Sequence, residues 1–196
     1  NLSSGGGNID DTIDFGLQTA VDYGDYSVFG SAGSALLANL YLGNLIDSEY
    51  SAITNSSATG DDLNGLADED GVIVPASIYV GTSGSLTVTA TNTSGSSAFL
   101  HVWIDFNRNG VLTDSGEQVA SNVLIPNGTS KANRTVNYTV PGTASLGAAG
   151  VRVRLTSVST PGSTGTSGNG EVEDYVTTIA CPAVSIAALP SSTAGS

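Results

Sequence analysis

The chain carries one strongly apolar run near its middle, Ala98-Phe99-Leu100-His101-Val102-Trp103-Ile104-Asp105. Aliphatic side chains occupy positions 100, 102 and 104, and aromatic rings occupy positions 99, 101 and 103. Since side chains of a strand alternate between its two faces, both faces of this run are apolar. A strand of that kind is covered on both sides. The run therefore predicts a central strand, with His101 in the interior.

Shorter runs on either side of this strand alternate between apolar and polar residues with a period of two. They lie at residues 86–90, 136–140 and 151–155, turn residues separate them, and residues 171–180 form a last predicted strand. The 25 glycines and the absence of methionine favour short strands and turns over helices. We therefore predict an all-β chain that folds as an antiparallel β-sandwich of the jelly-roll or immunoglobulin-like kind.

The predicted organisation is one sandwich domain between two extended arms. We assign residues 1–19 to an N-terminal arm, residues 20–180 to the domain and residues 181–196 to a C-terminal tail. Both arms contain a candidate strand, from Ile9 to Leu17 and from Ala183 to Leu189. Between Asp47 and Gly71 the chain is acidic and without a periodic pattern, so we expect a long irregular segment that bound cations organise.

The loop after the central strand has the composition of a calcium site. Oxygen-bearing side chains stand at alternate positions 105, 107 and 109, a glycine follows at 110, and carboxylates close the loop. This start matches the first half of a helix-flanked calcium loop, although the flanks here are predicted strands. Such residues also collect in plain acidic turns, which is the alternative. The predicted ligands are Asp105, Asn107, Asn109, the Val111 carbonyl, and Asp114 or Glu117.

A second cation is predicted where two further acidic signatures occur, around residues 68–70 and 171–174. The carboxylates of the two signatures would repel one another unless a cation stood between them. We also expect Arg152 and Arg154 to point out of the core toward the irregular acidic segment. The candidate ligands of the second cation are Asp68, Asp70, Glu171, Glu173 and Asp174.

Charge and composition exclude several classes of function. The formal net charge is −13, and residues 1–75 contain twelve of the eighteen acidic residues and no Lys or Arg. Nucleic acid is therefore not an expected partner, because phosphate binding needs clustered cations. No run approaches the roughly 18 apolar residues of a membrane span. One cysteine, Cys181, and one histidine cannot form a Cys/His zinc site.

Several segments together resemble the GEVED domain family, over roughly residues 20 to 180. Before them, the segment that ends at Leu17 resembles the last strand of a B-type stalk module. The resemblance implies secreted or cell-surface β-modules without catalytic activity of their own. This sequence departs from the commoner pattern at Asn109, where aspartate is frequent. The motifs are Asp22-Tyr23-Gly24-Asp25, Leu42-Gly43 with Ile46-Asp47-Ser48-Glu49, Gly60-Asp61-Asp62, Asp68-Glu69-Asp70-Gly71-Val72, Trp103 to Gly110 with Gly116-Glu117, and Gly170-Glu171-Val172-Glu173-Asp174 followed by Tyr175.

Three functions remain open to test. The first is an extracellular structural or adhesive module, stabilised by calcium and assembled into homo-oligomers or surface filaments by strand addition through the two arms. The second is a calcium-dependent carbohydrate-binding module with tyrosines of the acidic half as its platform. The third is a glycoside hydrolase with Glu171 and Glu173 as its carboxylates, which their crowding with other acids argues against. We expect a non-enzymatic protein at the cell surface.

Overall fold

The computed structural model describes residues 20–60 and 67–183, and this part of the chain contains eleven strands and no helix. No described helix is therefore long and apolar enough to cross a membrane. The strands are β1 (Val21–Tyr23), β2 (Ala32–Ala35), β3 (Leu40–Leu42), β4 (Val72–Ile73), β5 (Ser77–Tyr79), β6 (Ser83–Asn92), β7 (Ala98–Ile104), β8 (Gln118–Ile125), β9 (Thr129–Thr139), β10 (Gly147–Thr156) and β11 (Gly165–Ala180).

The strands form two sheets, as the alternating runs predicted. The larger sheet has seven strands in the order β1-β2-β11-β10-β7-β8, with β5 also paired to β11. The smaller sheet has four strands in the order β3-β6-β4, with β9 also paired to β6. All pairs are antiparallel except those of β11 with β2 and with β5. The all-β prediction is confirmed, and the two parallel pairs are an addition to it.

The main core lies between the sheets and is lined by aliphatic side chains. β7 and β10 both contribute side chains to this core. Val102 of β7 pairs with Val153 of β10, and Leu100 pairs with Leu155. Each of these side chains is buried, and burial of one such side chain stabilises the fold by about 1.5–3 kcal/mol. From the smaller sheet, Leu86 and other buried residues of β6 complete the core.

The outer face of β7 is covered as well, which confirms the prediction of a central strand. His101 is only 1% exposed and stacks against Trp103 with 5.8 Å between ring centroids. A second apolar cluster, built from Tyr26, Phe29, Ala58, Trp103 and Leu112, packs on this face. Chain segments outside the two sheets therefore cover the larger sheet from outside.

The acidic segment between Asp47 and Gly71 is irregular in its described parts, residues 47–60 and 67–71, as predicted. Carboxylates hold it in place by accepting backbone N–H groups. Asp68 accepts from the Asp47 N–H at 3.0 Å, and Glu173 of β11 accepts from the Gly71 N–H at 2.9 Å. The arm segments from Ile9 to Leu17 and from residue 184 onward lie outside the described residues, so the division into arm, domain and tail stays a prediction.

Candidate metal centres

The loop of residues 105–117 joins β7 to β8, so strands flank it as the sequence indicated. Asp105 directly follows β7, and its two carboxylate oxygens accept the N–H groups of Asn109 at 3.1 Å and of Gly110 at 2.8 Å. Gly110 has a φ of +77°, and a Cβ there would stand 2.7 Å from the Val28 carbonyl oxygen. The loop therefore bends tightly around the Asp105 carboxylate.

Three further polar side chains of the loop converge on one point. The carboxamide nitrogens of Asn107 and Asn109 donate to the same oxygen of Asp114, at 2.7 and 2.8 Å. Each carboxamide oxygen also accepts a backbone N–H two residues later in the chain. Val111 is exposed, and its N–H is the donor to Asn109. The loop thus gathers carboxylate and amide groups, the ligand types that Ca²⁺ prefers.

Glu117 is the residue immediately before β8 and closes the loop. Only 3% of it is exposed, and one carboxylate oxygen accepts the Asn107 N–H at 3.2 Å. Its other oxygen is buried and has no hydrogen-bond partner among the described residues. Burial raises the pKa of this carboxyl above its usual value, and the nearby charges of Asp105 and Asp114 raise it further. A buried carboxylate oxygen beside two more acids fits a cation, so the residues present match the predicted group.

The acidic signature of residues 170–174 lies on β11 and divides between the two faces of the sheet. Glu171 and Glu173 face the smaller sheet, since they pair in register with the core residues Leu155 and Val153. Glu171 accepts the Leu42 N–H of β3, and Glu173 accepts the Tyr175 hydroxyl at 3.0 Å besides the Gly71 N–H. Burial is the main cause that raises the pKa of Glu173 to about 8.

Asp174 faces the other side of the sheet and forms a buried ion pair with Arg152. Both side chains are 0% exposed, and the guanidinium donates to the two carboxylate oxygens at 2.8 and 2.7 Å. Arg154 donates instead to the carbonyls of Gly33, Gly162 and Gly165. The expectation that both arginines point toward the irregular acidic segment is wrong, because loops at residues 30–33 and 162–165 enclose them.

Asp68 and Asp70 also lie in different environments. Asp68 is buried, whereas Asp70 is exposed and accepts both the backbone N–H of Asn44 at 2.7 Å and its carboxamide at 3.1 Å. The five acids assigned to a second cation therefore occupy three places. Asp68, Glu171 and Glu173 lie near one another in the interior, Asp70 holds a surface turn, and Asp174 holds Arg152.

The structure also brings together three acids that sequence reasoning did not assign to one site. Asp22 of β1, Glu49 and Asp68 each offer a carboxylate oxygen, and these oxygens lie within 4.8 Å of one another. This buried acidic group can hold a metal ion. Burial raises the pKa of Asp22 well above its usual value, and the charges of Glu49 and Asp68 add to the effect. Asp22 and Glu49 were named in the motifs of the resemblance, which was the available signal.

Comparison with protein families places a GEVED domain at residues 99–178. The match covers β7 to β11 as far as residue 178, including the loop of residues 105–117 and the signature on β11. Asp22, Glu49 and Asp68 precede it, so the resemblance of residues 20–98 stays a prediction. No curated protein matches the chain.

Proposed function

Because residues 99–178 are a GEVED domain, we propose that this chain is a non-catalytic structural or adhesive module of the extracellular surface, stabilised by calcium. The observation that carries the proposal is a buried carboxylate oxygen of Glu117 that has no hydrogen-bond partner among the described residues, in a loop rich in carboxylate and amide oxygens. Calcium takes about six to eight oxygen ligands in a flexible geometry. Here the ligands would be Asp105, Asn107, Asn109, the Val111 carbonyl, Asp114 and Glu117.

The chemistry that calcium would supply at this loop is charge neutralisation. Asp105, Asp114 and Glu117 converge at the mouth of the β7–β8 hairpin, and the charges of Asp105 and Asp114 raise the cost of ionising Glu117. A bound cation removes that repulsion and joins the two ends of the hairpin. The hairpin contributes β7, which pairs with β10 and β8 and is covered on both faces, so a fixed loop stabilises the whole sandwich.

A structural role also agrees with the use of the glutamates on β11. Glu171 is 1% exposed, and both Glu171 and Glu173 accept N–H groups from segments of the smaller sheet. A hydrolase needs its two carboxylates on either side of an accessible glycosidic bond. These glutamates instead fasten one layer of the sandwich to the other, which favours the non-enzymatic proposal.

Assembly into filaments is part of the proposal. β8 ends the described path of the larger sheet, and its Leu124 side chain is exposed. An extended segment of a second copy, from Ile9 to Leu17 or from Ala183 to Leu189, would add to this edge by backbone hydrogen bonds. Electron microscopy of the purified chain with calcium checks this step, and monodisperse monomers at high concentration would exclude it.

Carbohydrate binding is the alternative, and the aromatic residues give it limited support. Trp103 and Tyr26 are buried core residues, so neither ring is available to stack on a sugar. Tyr50 is 90% exposed and lies in the acidic half of the chain. A glycan array with calcium and with chelator distinguishes the two functions, because only the alternative predicts calcium-dependent signals.

The calcium proposal is tested by thermal unfolding of the whole chain in calcium and in EGTA. We expect a higher melting temperature in calcium, and we expect the Glu117→Gln and Asp114→Asn variants to lose most of the difference that this loop contributes. Asp70→Asn is the matched control, because it removes one carboxylate charge from a surface turn. Equal melting temperatures in calcium and EGTA, together with no metal in elemental analysis, would contradict the proposal.

A further inference from the structure

A group of carboxylates lies buried where the segments before residue 73 meet β11. Asp22, Glu49 and Asp68 come from three separate segments of the chain, and their oxygens lie within 4.8 Å of one another. Oxygens on opposite sides of one calcium ion stand about 5 Å apart, given calcium–oxygen distances of about 2.3–2.6 Å. The spacing of the three acids is therefore that of ligands around a single ion.

An independent observation at Glu171 points to the same place. One of its carboxylate oxygens holds the Leu42 N–H, and the other is buried without a hydrogen-bond partner among the described residues. The charge that acts most strongly on this carboxyl is that of Asp22, followed by Glu173 and Asp68. A buried oxygen without a hydrogen-bond partner destabilises the fold, and more so when the group is charged. The Glu171 carboxyl thus lies within electrostatic reach of the acidic group, and one of its buried oxygens has no described hydrogen-bond partner.

Neither Arg152 nor Arg154 donates a described hydrogen bond to Glu171. Arg152 is paired with Asp174 on the opposite face of the sheet. The charge of Arg154 reaches Asp22, but its described hydrogen bonds go to three backbone carbonyls. Three buried carboxylates and the half-buried Glu49 therefore gather near one partly engaged arginine.

We propose that Asp22, Glu49, Asp68 and Glu171 form a second divalent-cation site that docks β1, residues 43–60 and residues 67–68 onto β11 of the GEVED domain. All four ligands are carboxylates, which favours calcium over metals that prefer nitrogen or sulfur. The site is distinct from the loop of residues 105–117 and excludes Asp70 and Asp174. The inference rests on the proposed function only in taking calcium as the ion.

The consequence is that calcium decides how firmly residues 43–60 are held against the GEVED domain. Besides the carboxylates, backbone hydrogen bonds hold this segment, from the Glu49 N–H to the Val21 carbonyl and from the Asn55 N–H to the Asp25 carbonyl. Without the ion, mutual repulsion of the four acids opens this junction first. The core between β7 and β10 does not depend on it.

The test uses the whole chain with calcium alone as the probe, in isothermal titration and in hydrogen exchange of residues 43–60. Glu117→Gln removes the loop site, and we expect this variant still to bind one calcium ion and to slow exchange of residues 43–60 on binding it. The Glu49→Gln/Glu171→Gln variant should keep the loop site but lose the calcium effect on residues 43–60. Asp70→Asn is the control and should behave as the unmodified chain.

Each outcome decides between the two sites. A Glu117→Gln chain that binds no calcium, or exchange of residues 43–60 that ignores calcium, overturns the buried site. A Glu117→Gln chain that binds as many ions as the unmodified one overturns the loop site and leaves the buried site standing. Near-ultraviolet circular dichroism of the buried Trp103 shows whether the double variant is folded. If the double variant is not folded, the Glu117→Gln result alone decides whether the buried site exists.

Discussion

Replacement of Asp174 by asparagine separates two explanations for the last acid of the signature on β11. In the structure Asp174 neutralises Arg152, and both side chains are 0% exposed. Asparagine keeps the shape and one acceptor oxygen but removes the charge. Arg152 then remains buried, held by the carbonyls of Gly30 and Ser163 and by its position over the Phe29 ring at 5.1 Å.

The expected loss follows from the burial of the pair. Removal of one partner of a buried ion pair costs about 3–5 kcal/mol, because the other charge stays without compensation. For a chain of this size 1 kcal/mol corresponds to about 2–4 °C, so the melting temperature should fall by about 6–20 °C. The Tyr26 N–H, which donates to Asp174 at 3.0 Å, loses a charged acceptor and adds to the loss.

Urea unfolding and thermal unfolding, each in calcium and in EGTA, measure the stability of the variant and its response to calcium. We expect Asp174→Asn to be destabilised equally in the two conditions, so that the shift produced by calcium is unchanged. Asp70→Asn, an exposed control, should lie close to the unmodified chain. The reasoning fails if Asp174→Asn loses less than about 1 kcal/mol, and it fails equally if the variant loses its response to calcium, since Asp174 would then be a ligand.

Two further predictions concern the strand β7 and the loop after it. Burial lowers the pKa of His101 to about 4 from 6.5; its stabilising contribution is therefore complete above pH 6.5 and is lost as the pH falls toward 4. A His101→Gln variant should lack this part of the acid destabilisation, about 3 kcal/mol at most, in urea titrations between pH 7 and 4 with calcium present; identical pH profiles would contradict it. Gly110→Ala should destabilise the fold more than Gly116→Ala, because both residues have a positive φ but only a Cβ at 110 meets the Val28 carbonyl oxygen. Strain alone costs about 1–2 kcal/mol, so equal melting temperatures for the two variants would show that the close contact relaxes.

Local periodicity was sufficient for several of the longer strands, among them β6, β7, β9 and β10, and for part of the core. The run of residues 98–105 predicted a strand covered on both faces, and the buried His101 and Trp103 confirm it. Period-two patterns depend only on the direction of successive side chains, which neighbours in sequence determine. The oxygen-bearing loop of residues 105–117 was visible for the same reason, since all its side chains come from one hairpin.

Long-range contacts were not visible in the same way. Asp22, Glu49 and Asp68 are separated by more than fifteen positions in each case, and no local pattern indicates that they meet. The faces of Arg152 and Arg154 were predicted correctly as lying away from the main core, but their partners were not. Which loop covers a sheet face depends on the path of the whole chain, and the parallel pairing of β2 and β5 with β11 is part of that path.

The sequence by itself determined the all-β class, the central strand and one oxygen-rich loop, because each depends on residues close together in the chain. The tertiary structure decided which acids share a site. It put Glu171 beside Asp22 and Asp68, and it put Asp174, three positions away, against Arg152 on the other face. The physical reason is that a strand sends neighbouring side chains to opposite sides of its sheet, and only the packing of other segments determines what each of them meets there.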